Sequence, residues 1–185
     1  MDIDTIYQEM ILEYSRKKEN CRELSGEGVK IERGHNPSCG DDLTLLIREK
    51  DGVIEEASFL GRGCAISTAS TNMLIELIRG KKAEEGKRKV EIFFKMMNGK
   101  EISEEEKEEL EDAQILEYFA EMPARIKCAT LSWHSADVLL NEKKMRLIVR
   151  DSVKTKSLFL KTKVKLIFRY RLILLLPHGR VLHQR

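Results

Sequence analysis

Apolar residues fall on one stripe at the start of the chain: Ile3, Ile6, Tyr7, Met10, Ile11 and Tyr14 recur at helical spacing. This predicts a core-covering helix over residues 3–18. The pattern then changes period. Residues 43–50 and 53–60 are β-like runs on either side of Asp51-Gly52, the strongest short hairpin signal. A third strand is expected at residues 28–33. From residue 65 to 79, Met73, Leu74, Leu77 and Ile78 mark a second helix that Gly80 would end. Residues 83–97 and 103–120 also read as helices, the second opening on a capping-box pair, Ser103 and Glu106. The acidic run at 104–111 reads as the solvated face of that helix. Pro123 suits the first turn of a last helix reaching about Leu140. A small antiparallel sheet of about three strands packed against several helices makes the fold class α+β.

The hairpin register makes a further prediction. With Asp51-Gly52 as a two-residue turn, Lys50 faces Val53, and the same register sets Leu43 against Leu60, Asp41 against Arg62 and Cys39 against Cys64. Opposed residues have Cβ atoms about 5 Å apart, so two cysteines would meet at the open end of the hairpin.

Charge divides the chain of 185 residues in two. Residues 1–140 hold 20 Lys/Arg against 29 Asp/Glu, a net −9, whereas residues 141–185 hold 13 against 2, a net +11. An acidic folded domain, 1–140, followed by a basic tail, 141–185, is expected. The tail lacks turn signals and is expected to be poorly ordered and functionally silent. The opening Met1-Asp2-Ile3-Asp4 is acidic where a secretory signal would be basic. The most apolar stretch, 166–176, is broken by Arg169 and Arg171 and falls short of the ~20 residues a membrane span needs. A cytoplasmic protein with no membrane partner is expected. In a reducing compartment, four unevenly spaced cysteines favour a metal or reactive thiols over disulfides.

Asp41 lies two residues after Cys39, so on extended backbone the two side chains share a face. Pro37 and Gly40 mark an exposed turn around Cys39. Gly61 and Gly63 permit a tight strand-to-helix turn that would place Cys64 at a helix N-terminus, where the macrodipole favours thiolate. Cys128 falls in the first turns of the last helix, beside Arg125 and Lys127, which also favour thiolate. Three thiolates and one carboxylate form a set that zinc accepts, and their softness points to zinc or iron–sulfur chemistry over magnesium or calcium. With no C-x-x-C pair, spacing alone leaves a second reading open, that the cysteines are small buried hydrophobes.

Three blocks narrow the choice. Asn36-Pro37-Ser38-Cys39-Gly40-Asp41, then Gly61-Arg62-Gly63-Cys64-Ala65-Ile66-Ser67-Thr68-Ala69-Ser70, then Arg125-Ile126-Lys127-Cys128-Ala129-Thr130-Leu131-Ser132-Trp133 resemble, in order, the signature blocks of the NifU/IscU/SufU family. The resemblance spans residues 3–140. It is closer to the SufU branch, because the interval between Cys64 and Cys128 carries an extra helical segment at about 80–112. In addition, Lys127 stands where IscU-type scaffolds carry a histidine. The resemblance implies a SufE/NifU-like fold and a zinc site made by Cys39, Asp41, Cys64 and Cys128. It implies a pyridoxal-phosphate cysteine desulfurase, SufS-like, as partner, with downstream cluster-assembly proteins beyond it. Cys39 would be the sulfur acceptor and Arg125 a docking residue for the desulfurase. An IscU-type scaffold holding an iron–sulfur cluster is the alternative.

Other residues are expected to play quieter parts. Cys21 reads as an ordinary surface thiol, His35 as a solvated loop histidine, His134 as a helix-surface residue and Trp133 as a core anchor. A nucleic-acid role for the basic tail is disfavoured, since no recognition motif and no interleaved aromatics accompany it.

Overall fold

In the computed structural model, which describes residues 3–141, the first apolar stripe forms α1 (Ile3–Arg16). Three strands follow, β1 (Val29–Asn36), β2 (Asp41–Lys50) and β3 (Val53–Arg62), paired antiparallel in the order β1-β2-β3. Four helical segments come next: α2 (Ala65–Ile78), α3 (Ala83–Met97), the single turn α4 (Glu104–Glu108) and a 3-10 helix (Glu111–Phe119). The last helix, α5, covers residues 123–141. The expected α+β class and three-stranded sheet are both present. The basic tail lies, from residue 142 onward, outside the described residues. Among the described residues no helix is long and apolar enough to cross a membrane.

The expected hairpin turn is present at Asp51-Gly52, with Lys50 facing Val53 and Glu49 facing Ile54. Beyond that the predicted register fails. A β-bulge lies between Arg48 and Glu49, so that Arg48 faces Glu56 and Glu55 is the extra residue. Leu43 therefore opposes Gly61 rather than Leu60, and Arg62 opposes Asp42 rather than Asp41. Asp41 instead ends the β1–β2 ladder opposite Asn36, because β1 runs three residues past the predicted 28–33. Cys39 thus sits in a four-residue hairpin loop between Asn36 and Asp41, not across a strand pair from Cys64. His35 lies on β1 rather than in a loop, exposed, with Nδ1 3.1 Å from the Asp41 carbonyl.

One face of the sheet, including Leu43, Leu45, Ile47, Ala57 and Phe59, is buried under the helices. Trp133 on α5 is fully buried and stacks on Phe93 of α3, ring centroids 3.6 Å apart. The seam between α2 and α5 is polar and satisfied. Trp133 Nε1 donates to Ser70 Oγ at 2.9 Å, Ser70 Oγ donates to the Ala129 carbonyl at 2.5 Å, and the Thr71 and Ser132 hydroxyls are 2.5 Å apart. Buried hydroxyls left unpaired would cost about 1–3 kcal/mol each, so this seam fixes how α5 lies along α2. Against β1, a Cβ at Gly34 would come within 3.0 Å of Leu131 Cγ, so the strand and α5 approach closely at that point. Together these contacts bring the start of α5 to the open end of the sheet.

The helix expected over 103–120 is broken. The Ser103–Glu106 capping box forms, but α4 ends after one turn and Glu111 takes φ +50 before the 3-10 helix begins. Lys89, almost wholly buried, donates to the Glu109 carbonyl at the break, and Arg88 holds the Glu109 carboxylate through two bonds of 3.0 and 2.7 Å. Tethering to α3 at this carbonyl competes with helix continuation. The acidic run is therefore more than a solvated face: Glu106 also pairs with Lys95, at 2.8 Å.

Candidate metal centre

Cys39, Asp41 and Cys128 offer ligand atoms that all lie within 4.8 Å of one another. Each arrives from a different piece of backbone. Cys39 is exposed at the tip of the β1–β2 loop, where Gly40 takes φ +70 to return the chain to β2. Asp41, at the first position of β2, is fully buried. Cys128 is buried on the second turn of α5, its Sγ 3.1 Å from Cys39 Sγ.

Cys64 joins from the other side. It caps α2, its Sγ accepting from the Ser67 N–H at 3.4 Å, while its own N–H donates to Asp41 Oδ1 at 2.7 Å. It lies outside the tightest group of three but close enough to Cys128 to act on it electrostatically. All four expected site residues therefore converge, although not through the predicted strand register. Gly61 and Gly63 make the approach possible. At Gly61 φ is +110 and a Cβ would lie 2.1 Å from the Asp42 carbonyl oxygen, while at Gly63 a Cβ would lie 2.3 Å from Ser67 Oγ.

Asn36 was not among the expected site residues. It is buried at the end of β1, donating from Nδ2 to Asp41 Oδ2 at 3.3 Å and to Cys128 Sγ at 3.5 Å. Its Oδ1 accepts from the Ser38 N–H at 3.2 Å, so one side chain shapes the Cys39 loop and orients two donors. The only signal in the sequence was its place at the head of the first signature block.

The electrostatics of the group are those of a set short of a cation. The Asp41 carboxylate is buried and held by neutral N–H donors, with no ion-pair partner among the described residues. A buried carboxylate without a counter-charge is costly. Burial is also the main force holding the Cys128 thiol well above its ordinary range, reinforced by hydrogen bonds with Cys39 and Asp41 and by the proximity of Cys64. Arg125 and Lys127, expected to promote a thiolate at Cys128, are exposed and do not reverse that direction. A bound divalent soft cation would supply the missing counter-charge and favour the thiolate forms of the cysteines.

Arg125 itself stands at the rim of an apolar groove of about 500 Å3, together with Cys64. Cys21 is exposed, His134 is exposed on α5 beside Phe94, and Trp133 is the core anchor the sequence suggests.

Comparison with known proteins fits this geometry. Residues 6–129 match the model of the NifU-like N-terminal domain. The zinc-dependent sulfurtransferase SufU of Bacillus subtilis is 35% identical over 136 residues, covering 74% of this chain and 90% of that protein. The iron–sulfur cluster assembly scaffold protein IscU of Streptococcus pyogenes is 34% identical over 133 residues, 72% of this chain and 81% of that protein. Among solved structures, an iron–sulfur cluster assembly scaffold protein for the SUF system from Fervidobacterium islandicum superposes with a TM-score of 0.66 at 36% identity, covering 75% of this chain and 99% of that one.

Proposed function

The chain belongs to the family of NifU-like N-terminal domains, and from that premise we propose that it serves iron–sulfur cluster assembly as a zinc-dependent sulfur acceptor. Its partner would be a pyridoxal-phosphate cysteine desulfurase that presents sulfur as a persulfide, with cluster-assembly proteins downstream. Cytoplasmic chemistry of this kind suits four cysteines that are all free thiols.

The observation that carries the reading is the unequal exposure of the donors. Asp41 and Cys128 are buried and held by Asn36, whereas Cys39 is exposed at a loop tip. Cys39, Asp41, Cys64 and Cys128 would hold zinc, which when bound keeps the thiols ionised at neutral pH. Cys39 is the donor that can leave the group and meet an incoming sulfur without disturbing the core. Its thiolate attacks the terminal sulfur of the donor persulfide. A new S–S bond forms to Cys39, the donor's S–S bond breaks, and the donor cysteine departs as thiolate. The persulfide proton stays on the transferred sulfur, so no external oxidant or reductant enters. Asp41, a harder donor than a thiolate, makes the group exchange-competent. Arg125, exposed three residues before Cys128, is placed to bind a carboxylate of the desulfurase.

The scaffold reading draws support from the IscU-named relative, and the same four donors would suit a cluster. Lys127, where IscU-type scaffolds carry a histidine, favours the sulfur acceptor. Desulfurase turnover with and without the chain decides between them. Stimulation that Cys39→Ala abolishes supports the acceptor; unchanged turnover, with a stable transferable cluster formed from iron and sulfide, supports the scaffold.

A further inference from the structure

β1 is an edge of the sheet: among the described residues it pairs with β2 alone, and its other side carries no ladder partner. An open strand edge is a template for another strand. Apolar side chains flank this one on both faces. On the outer face of the sheet Ile31 is 58% exposed, more than any other large apolar residue described. On the helix side, Gly34 meets Leu131 and Ser135 of α5, and Lys30 Nζ donates to the Leu139 carbonyl at 3.1 Å. Val138, one turn beyond Ser135 on that stripe, is 41% exposed. Two of the five large apolar side chains that the described residues leave exposed thus lie along one strand edge.

The charges on β1 select what can pair there. Lys30 and Glu32, opposite Ile47 and Leu45 of β2, face the helices, while Val29, Ile31 and Arg33 face outward. Two copies of β1 related by a two-fold axis run antiparallel, and opposed residues must share a face, so the axis has to pass at a residue position. An axis at Lys30, Glu32 or Arg33 sets that charge against its own copy, which is destabilising. An axis at Gly34 sets Arg33 against His35 and leaves Val29 and Ile31 without partners, and an axis at either end of β1 leaves most of the strand unpaired. At Ile31 every opposition is favourable: Ile31 meets Ile31, Lys30 meets Glu32 twice, and Val29 meets the stem of Arg33. Both members of the ion pair have capacity to spare. Lys30 gives one N–H to Glu49 at 2.9 Å and one to the Leu139 carbonyl, which leaves the third of its ammonium. Glu32 is half-buried and makes no ion pair among the described residues.

We infer that the open edge of β1 pairs with the same edge of a second copy, about a two-fold axis at Ile31, and joins the two sheets of a homodimer into one. Ile31 packs on its copy on the outer face. Val138, on the stretch of α5 between the contacts to Gly34 and Lys30, faces the axis on the helix side. The pairing stands apart from the sulfur-acceptor reading and leaves its site open. Asn36 lies five residues from the axis, so at about 3.4 Å per residue the two candidate metal centres sit roughly 34 Å apart, at opposite ends of the joined sheet.

Sedimentation of the full chain over a concentration series measures the association, and the wild type is expected to pass from one chain to two. Ile31→Lys, at an exposed position outside the core, should weaken dimerisation about tenfold or more, with helix content and zinc content unchanged. Glu32→Lys, which sets Lys30 against a like charge, should act in the same direction. Ile31→Cys carries the test should either charged variant not fold. Its introduced thiols would face each other across the axis with Cβ atoms about 5 Å apart, near the reach of a disulfide. Oxidised glutathione should therefore link two chains at that position, as peptide mass mapping would show. Arg33→Cys, two residues along the same face, should not link to itself, because Val29 of the second copy lies opposite. A wild type that stays a single chain up to about 1 mM would overturn the inference. So would a dimer that both charged variants leave at wild-type strength, or one that links through Arg33→Cys and not through Ile31→Cys.

Discussion

At Gly61 the backbone takes φ +110 and runs so close to β2 that a Cβ would sit 2.1 Å from the Asp42 carbonyl oxygen. No side chain fits without moving the end of β3, and that end carries Cys64 to its place beside Asp41. Gly61→Ala is expected to cost about 2–4 kcal/mol of stability, by combining a disfavoured φ with a backbone overlap. Denaturant unfolding of the zinc-loaded chain measures it, together with a loss of bound zinc. The two cysteines 3.1 Å apart should respond unequally to removal. Cys128→Ala takes away a buried donor from the centre of the group and should abolish zinc binding, whereas Cys39→Ala, at the exposed loop tip, should keep a weaker zinc site. Zinc analysis after equal dialysis separates the two outcomes. The thiols and carboxylate that the structure brings together were legible in the sequence because, beside glycines, they carry their chemistry in their type. Asn36 was not, because its amide matters only once β1 is known to extend far enough to carry it under Asp41 and Cys128.

Among the elements, those with a strong period or a strong breaker were readable: α1 from its stripe, the Asp51-Gly52 turn, and α2 with Gly80 beyond it at φ +78. Two features were not. The bulge at Glu55 shows in β3 only as a slip in the alternation, with two glutamates between buried Ile54 and Ala57, yet it displaces every pair beyond it by one residue. The break after α4 is decided by tertiary partners, with Lys89 and Arg88 of α3 holding Glu109, where local propensity favours one continuous helix. Lys89 should accordingly matter more than a surface lysine. Lys89→Met keeps the buried stem but leaves the Glu109 carbonyl unpaired, and should lower stability by about 1–3 kcal/mol. Thermal unfolding checks this, with Lys87→Met on the same helix expected to be close to neutral.

Over the whole molecule, an acidic domain presents its basic side chains Arg62, Arg125 and Lys127 within two residues of Cys64 in one case and three or fewer of Cys128 in the others. The partner that meets this end is expected to be acidic, and raising salt should weaken the encounter. Zinc should act on the entire domain, because the four residues proposed to hold it come from the β1–β2 loop, β2, the cap of α2 and α5. Chelation is therefore expected to lower the melting temperature cooperatively. With free zinc about a thousandfold above its Kd, binding contributes about 4 kcal/mol to folding; a melting temperature unmoved by chelation would remove zinc from the account. The division into an acidic domain and a basic tail is an expectation from charge alone, and the described residues cover the domain half. Cys39 is proposed to receive the sulfur. Incubating the chain with desulfurase and cysteine, then mapping the one-sulfur mass gain by peptide mass spectrometry, tests it directly. The added sulfur is expected on the peptide holding Cys39 and is expected to be lost in Cys39→Ala. A chain whose cysteines gain no sulfur while the desulfurase turns over would contradict it.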